Sequence, residues 1–427
     1  MTQCKISLIL LIILWFQVLY GISSVYDRSA NSLISYAASR NGDDKRNIRP
    51  SLGSSEFFKK FFISQNAIER KKYIKTIKYV WQHFLEPVSP DSLSDCSKGR
   101  FLVLRCRNRG GHRCGGLADR ERGIISSFLL ALQTGRTFAI DMDKPCELEQ
   151  FLLPNLYNWT RCNSYIQSLP GSETEIIDVH NLRDKYFSLF KEPFTSQLSS
   201  PDGPKAVLIN TNIAPLQRIL SENYIQKRVP WLKDFTIREL VVIIFNTLFV
   251  PSDRLIAALD SLQSMQSNHL LQCAHIRYGH SVDMPADPSF ATSRGRVNTS
   301  HVTSFFIRNA QDRNMDSSVF IATDSSDIHR QMESQHKNYI RLNTTISHIE
   351  FSGSCDGFYS AILEQLVLTQ CDVLVLSSSG FGSFAAYIRG VDTGLYQYHT
   401  NRSKTPDHIT SLTIEDDMRS HGYFINY

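Results

Sequence analysis

His275-Ile276-Arg277-Tyr278-Gly279 joins a guanidinium to a turn-forming glycine at the end of an apolar run, Leu270-Leu271-Gln272-Cys273-Ala274. The run reads as a buried strand, and Gly279 permits a tight turn after it. An arginine so placed stands at the carboxyl end of a strand, where open α/β sheets bind ligands. Its planar fork donates two parallel hydrogen bonds, which suits a diphosphate. Two other strand ends carry related groups. Ala322-Thr323-Asp324-Ser325-Ser326-Asp327 follows Val319-Phe320-Ile321 and opens a helical pattern, with Asp324 or Ser325 placed to cap it. Ser377-Ser378-Ser379-Gly380-Phe381-Gly382-Ser383 follows another apolar run, and hydroxyls with open backbone N–H groups at a helix start suit an anion. Taken singly, each segment also reads as an ordinary surface or capping turn. Convergence of all three on one sheet edge makes a phosphate-bearing nucleotide the better reading.

The elements that must position these groups follow from periodicity. From Leu270 onward, strands are expected at 270–277, 319–322, 339–342 and 372–376, with helices at about 300–313, 325–335, 357–370 and 380–389. Alternating strand and helix predicts a parallel sheet covered on both faces. An earlier unit begins near Cys96. Phe101-Leu102-Val103-Leu104 is a strand, a glycine-rich loop runs from Arg107 to Gly116, and Leu117 to Leu132 repeats at helical steps. Gly135 suits the helix C-cap, and Thr137-Phe138-Ala139-Ile140-Asp141 is the next strand. The loop is neither a dinucleotide fingerprint nor a Walker A loop. Residues 145–204 read as loop-rich without an evident order. Ala206–Ile209 is another strand, and 236–265 is helical with Pro251 interrupting.

Composition sets the class. The chain has 427 residues, 42% hydrophobic, with net charge +5. It is globular, long enough for two domains, and too weakly basic to suggest nucleic acid. The basic stretch from Lys59 to Lys78 reads as a solvated helix face. Residues 6–22 carry no charge and fit a signal anchor or a signal peptide, with the anchor preferred. Residues 23–95 then form a stalk and a packing helix over 56–85. The compact domains are 96–268 and 269–427. Four sequons, at Asn158, Asn298, Asn343 and Asn401, agree with a secretory lumen. So do eight cysteines beyond the apolar segment, an even number whose pairing the sequence leaves open and whose clustering over 96–162 suggests staples within one subdomain.

In this order, His275-Ile-Arg277-Tyr-Gly279, Val319-Phe-Ile-Ala-Thr-Asp324-Ser325, Gln370-Cys-Asp372-Val-Leu-Val and Ser378-Ser379-Gly-Phe381-Gly-Ser-Phe-Ala385 resemble the GDP-fucose-binding half of the inverting fucosyltransferases. That superfamily includes α1,2-, α1,6- and protein O-fucosyltransferases. Cys114-Gly115-Gly116-Leu117-Ala118-Asp119-Arg120, a helix, and Thr134-Gly-Arg136-Thr137-Phe138 are similar to its N-terminal glycine-loop motif. The resemblance spans about residues 100–142 and 270–390. It implies an α/β fold of GT-B type, two Rossmann-like domains facing across a cleft, behind the N-terminal signal anchor and stalk. It implies that Arg277 stabilises the departing GDP, with Asp324 and Ser325 toward the guanine or ribose. By the same resemblance Ser378, Ser379 and backbone groups near Gly380 would hold phosphates, His275, Gly279 and Phe381 would belong to the same donor site, and Gly115, Gly116 and Arg120 would approach from the other domain. The resemblance implies GDP-fucose as donor and a hydroxyl of a glycan or glycoprotein as acceptor, and no divalent metal is expected.

One departure stands out. Many members carry Asp after the motif glycine, and this chain has His280. Candidate bases are Asp283, which takes the catalytic assignment, with Asp287, Asp119 and Glu121 beside it. His280 motivates the alternative of a catalytically inactive lumenal nucleotide-sugar or glycan-binding protein. Asp141-Met142-Asp143 motivates a metal-dependent glycosyltransferase. A secreted disulfide-rich adhesion protein would fit the cysteines but leave the strand-end motifs without a role. The expected location is the Golgi membrane, as a single-pass type II protein with a lumenal catalytic domain. The alternatives are the ER lumen or secretion. The final residues, Phe424-Ile425-Asn426-Tyr427, lack a retention signal and favour the Golgi.

Overall fold

A computed structural model describes residues 75–107, 113–214, 216–221, 223–264, 270–279, 297–351, 354–400 and 407–421, all within one compact unit. The apolar N-terminal segment, the stalk and the start of the 56–85 helix lie outside the described residues. Among the described residues no helix is long and apolar enough to cross a membrane. The end of the packing helix, 75–85, is present and buries Val80, Trp81 and Leu85. Trp81 meets Tyr157 edge-on at 6.5 Å and Phe84 stacks on Trp231 at 5.3 Å.

The first lobe contains β1 (Phe101–Cys106), α1 (Leu117–Thr134), β2 (Thr137–Met142), β3 (Thr174–Asp178), β4 (Ala206–Asn210) and α2 (Ile237–Leu248). Its sheet has the order β2-β1-β4-β3 and all neighbours are parallel. The apolar runs of β1 and β2 are buried throughout their first four residues, as a strand covered on both faces requires. β3 lies inside the stretch that read as loop. Its burial pattern explains why: Glu175, Ile176 and Asp178 are exposed on an edge strand, so neither an apolar run nor clean alternation marks it. α1 starts at Gly116 and ends where Gly135 adopts φ +64°, which a glycine tolerates without cost. Arg136 follows, 2% exposed, and donates to the carbonyls of Leu198 (2.8 Å), Phe101 (3.1 Å) and Pro204 (3.0 Å). It therefore ties the amino edge of the sheet together, and burial lowers its pKa to about 10.

The second lobe contains β5 (Leu270–Ile276), α3 (Thr299–Arg313), β6 (Ser317–Thr323), α4 (Ser326–Gln335), β7 (Tyr339–Ile340), α5 (Cys355–Leu368), β8 (Val373–Leu376), α6 (Gly380–Arg389), β9 (Leu395–His399) and β10 (His408–Ser411). The order is β10-β9-β8-β5-β6-β7, parallel except where β10 closes the edge antiparallel to β9. β5 and β8 sit centrally and are buried at every position. Four disulfides form: Cys96–Cys162, Cys106–Cys114, Cys146–Cys355 and Cys273–Cys371. Two of them staple the 96–162 region, but Cys146 crosses to the second lobe. Asn298 and Asn343 are exposed and Asn158 is half-buried, while Asn401 lies outside the described residues.

Candidate active site

The carboxyl ends of β5, β6 and β8 meet at one edge. There a cleft of about 340 Å³ is lined by residues of both lobes, among them His275, Arg277, Asp324, Ser379, Gly380 and Phe381 from the second lobe and Gly116, Asp119 and Arg122 from the first. Arg277 ends β5. Its Nη1 pairs with Asp324 Oδ2 at 2.9 Å, and its backbone N–H donates to Ser377 Oγ at 2.9 Å. Asp324 also accepts from the N–H groups of Tyr278 (2.6 Å) and Gly279 (2.9 Å). One carboxylate thus orients the guanidinium and fixes the turn behind it, where Gly279 has φ +88°. The pair is well shielded, with side chains 14% and 7% exposed.

α6 begins at Ser379, whose side chain makes no capping hydrogen bond, so the first N–H groups of the helix keep their capacity to bind an anion. Ser379 and Gly380 line the cleft, while Ser378 lies half-buried one step outside its lining. Ser325 is buried at the N-cap position of α4, again without a side-chain cap. The His275 ring stands 5.1 Å from that of Phe381. Burial, with the charge of Arg277 beside it, lowers its pKa to about 3, so it is neutral at physiological pH. Its Nδ1 has no hydrogen-bond partner. A Cβ at Gly382 would lie 2.7 Å from that nitrogen. Gly382→Ala is therefore expected to push the imidazole into the cleft and cost about 1–3 kcal/mol of stability, measurable by denaturant unfolding alongside weakened nucleotide binding.

In the first lobe the glycine loop positions two kinds of group. Gly115 has φ +75°. The Gly116 N–H donates to Asp119 Oδ2 at 2.9 Å, and Arg122 pairs with the same carboxylate, so Asp119 is held at the cleft wall by the start of α1. Arg120, assigned to the donor by the family pattern, points elsewhere. It is 2% exposed, donates to the carbonyls of Gly115 and Lys144, and lies over the Phe358 ring at 5.4 Å. Burial lowers its pKa to about 10. Glu121 is equally remote. It accepts from Gln365 Nε2 at 2.9 Å in a buried contact between the lobes, and burial holds its carboxyl well above the usual range. Of the two candidate bases among the described residues, Asp119 lines the cleft and Glu121 does not; Asp283 and Asp287 lie outside the described residues, as does His280.

Sequence reasoning missed one wall. Gly357, Ser360, Ala361 and Glu364 of α5 line the cleft together with Thr345–Ile349 of the preceding segment, which packs on this helix: the Thr345 N–H donates to Ser360 Oγ at 2.9 Å. Glu364 accepts from Thr344 Oγ1 at 2.9 Å. Burial, opposed by that hydrogen bond and aided by nearby Asp324, raises its pKa to about 7. The signal was available: small residues at helical spacing, 357, 360 and 361, ending on a lone acid among Ile362, Leu363, Leu366 and Val367.

Asp141 sits at the end of β2 and not in this cleft. Arg107 Nη2 donates to its Oδ1 at 2.6 Å and Arg107 Nε lies 2.6 Å from Oδ2. A cation already occupies both oxygens that a metal would need. No group of three or more His, Cys, Asp or Glu able to hold a metal occurs among the described residues.

No protein-family model matches the chain, and no curated protein matches it. Solved structures do. An Arg-to-Lys mutant of Arabidopsis thaliana FUT1 in complex with GDP is 14% identical, with a TM-score of 0.49 over 78% of this chain and 80% of that one. The Bradyrhizobium α-1,6-fucosyltransferase NodZ, soaked with GDP-fucose, is 17% identical, with a TM-score of 0.44 over 74% of this chain and 99% of that one. POFUT1 in complex with GDP is 13% identical, with a TM-score of 0.37 over 71% of this chain and 99% of that one. The chain is similar in structure to fucosyltransferases.

Proposed function

We propose that the protein is a metal-independent fucosyltransferase of GT-B type that uses GDP-fucose and inverts the sugar centre. The observation that carries this reading is the joint placement of Arg277 and the open start of α6 on one cleft. Together they offer a forked cation and oriented N–H dipoles to a diphosphate, the group on which charge develops as the glycosidic bond breaks. Asp324 holds the fork in register. Glu364 lies in the same cleft, and a carboxylate there matches the two donors, N1–H and N2–H, of a guanine edge. The first lobe presents the acceptor hydroxyl. Its proton goes to a carboxylate, for which Asp119 at the cleft wall and Asp283 after Gly279 are the candidates.

Inversion and metal independence are tested together by following GDP-fucose with water as acceptor by NMR. From the β-linked donor, α-fucose is expected to appear first, at an unchanged rate with EDTA. Early β-fucose, or activity restored only by Mn2+, would overturn the reading and return weight to Asp141 and Asp143. Four closed disulfides support an oxidising, lumenal location. Anchoring in the Golgi membrane through residues 6–22 is part of the same proposal.

A further inference from the structure

We propose that Glu350 is a positioning residue that sets the width of the cleft, by filling with its own carboxylate an anion site at the start of α1. The part that concerns the donor rests on the GDP-fucose reading above.

Glu350 belongs to the segment between β7 and α5, whose residues Thr345–Ile349 line the cleft. Its carboxylate nevertheless binds the other lobe. Oε2 accepts from the N–H groups of Cys114 (3.1 Å) and Gly115 (3.0 Å), and Oε1 accepts from Lys144 Nζ at 2.9 Å. Arg120 Nη2 stands 3.9 Å from Oε2. The Glu350 side chain is only 8% exposed. Consecutive backbone N–H groups beside a left-handed glycine make a concavity suited to an anion. A second observation points to the same place. Arg120 is 2% exposed, and its Nη2 faces Glu350 without any hydrogen-bond partner. Two cations and two N–H groups therefore converge on one carboxylate.

Mechanically, this makes the cleft-lining segment a strap fastened to the first lobe. Further along, Cys355 bonds to Cys146, close in sequence to Lys144. The disulfide fixes one end of the strap, and Glu350 fixes the part next to His348 and Ile349, which touch the cleft. Without the carboxylate, Lys144 and Arg120 would repel each other in a shielded site and two N–H groups would lose their acceptor. The strap would move outward, taking His348 and Ile349 away from the ligand whose cleft they line.

The test measures Kd for GDP-fucose and Tm for wild type, Glu350→Gln and Glu350→Ala, each with sodium formate or matched sodium chloride. Glu350→Ala is expected to bind about tenfold or more weakly, on the scale of one lost hydrogen bond, with formate restoring part of the loss and raising its Tm but not that of wild type. Glu350→Gln keeps an acceptor for the N–H groups but loses the ion pairs. It should fall between the two and gain nothing from formate. A purely structural role would lower Tm and leave the Kd of the folded fraction unchanged. That result, or a loss that formate does not relieve, overturns the proposal. Should Glu350→Ala not fold, Glu350→Gln decides: about threefold or more weaker binding supports positioning, and wild-type Kd refutes it. If wild type itself fails to bind GDP-fucose, the donor reading falls, and the formate-dependent Tm alone decides whether the anion site exists.

Discussion

Arg277→Ala is expected to lower kcat/KM for fucose transfer about a thousandfold, on the scale of losing a preorganised charge-stabilising group. Most of the loss should appear in kcat, because the guanidinium faces charge that is larger in the transition state than in bound GDP-fucose. Arg277→Lys should recover little. An ammonium cannot pair with Asp324 through one arm and present the rest of a planar fork to a diphosphate. The fold should survive either change, since Asp324 keeps the N–H groups of Tyr278 and Gly279 as partners. Steady-state kinetics with circular dichroism on the same samples checks both halves. An Arg277→Ala enzyme within threefold of wild type would show that leaving-group stabilisation lies elsewhere.

The second large effect is a pH dependence written by Glu364. Its pKa is raised to about 7, first by burial. A protonated carboxyl offers one acceptor oxygen fewer to guanine, so the ionised form is the binding form. Affinity is therefore full above pH 7 and is lost as pH falls through that value. Between pH 8 and pH 5.5 the Kd for GDP-fucose should rise about thirtyfold, following the fraction ionised. GDP-fucose is the right probe because its esterified diphosphate does not titrate in this range. Glu364→Gln should bind weakly at every pH with a flat profile, and should discriminate GDP from IDP, which lacks the N2 amine, about tenfold less than wild type. A wild-type profile that is flat, or one that persists in Glu364→Gln, would remove Glu364 from base recognition.

How much of this was legible in the chain differs by element. β5 and β8 announced themselves because central parallel strands are buried on both faces and read as unbroken apolar runs. The three strand-end segments were legible because turn chemistry at a strand-to-helix junction uses few residue types. β3 was hidden because an edge strand can leave its side chains in water. Arg120 shows the limit of a motif. Its position beside the glycine loop is as expected, but which way it points is decided by Gly115, Lys144 and Phe358, and two of these are distant in sequence. Glu350 was invisible for the same reason: a carboxylate's partner in the other lobe leaves no periodic mark on either segment, whereas Glu364 left a lone acid at the end of a small-residue face that the strand-end motifs overshadowed. The pairing of Cys146 with Cys355 spans 209 residues and could only come from the fold.

The most direct test of the central claim is calorimetric titration of GDP-fucose, in EDTA, into the protein as wild type and as Arg277→Ala. Micromolar binding without metal, weakened at least tenfold in the variant, is the expected result. Absence of binding to wild type, or binding that appears only with Mn2+ and ignores Arg277, would contradict the account.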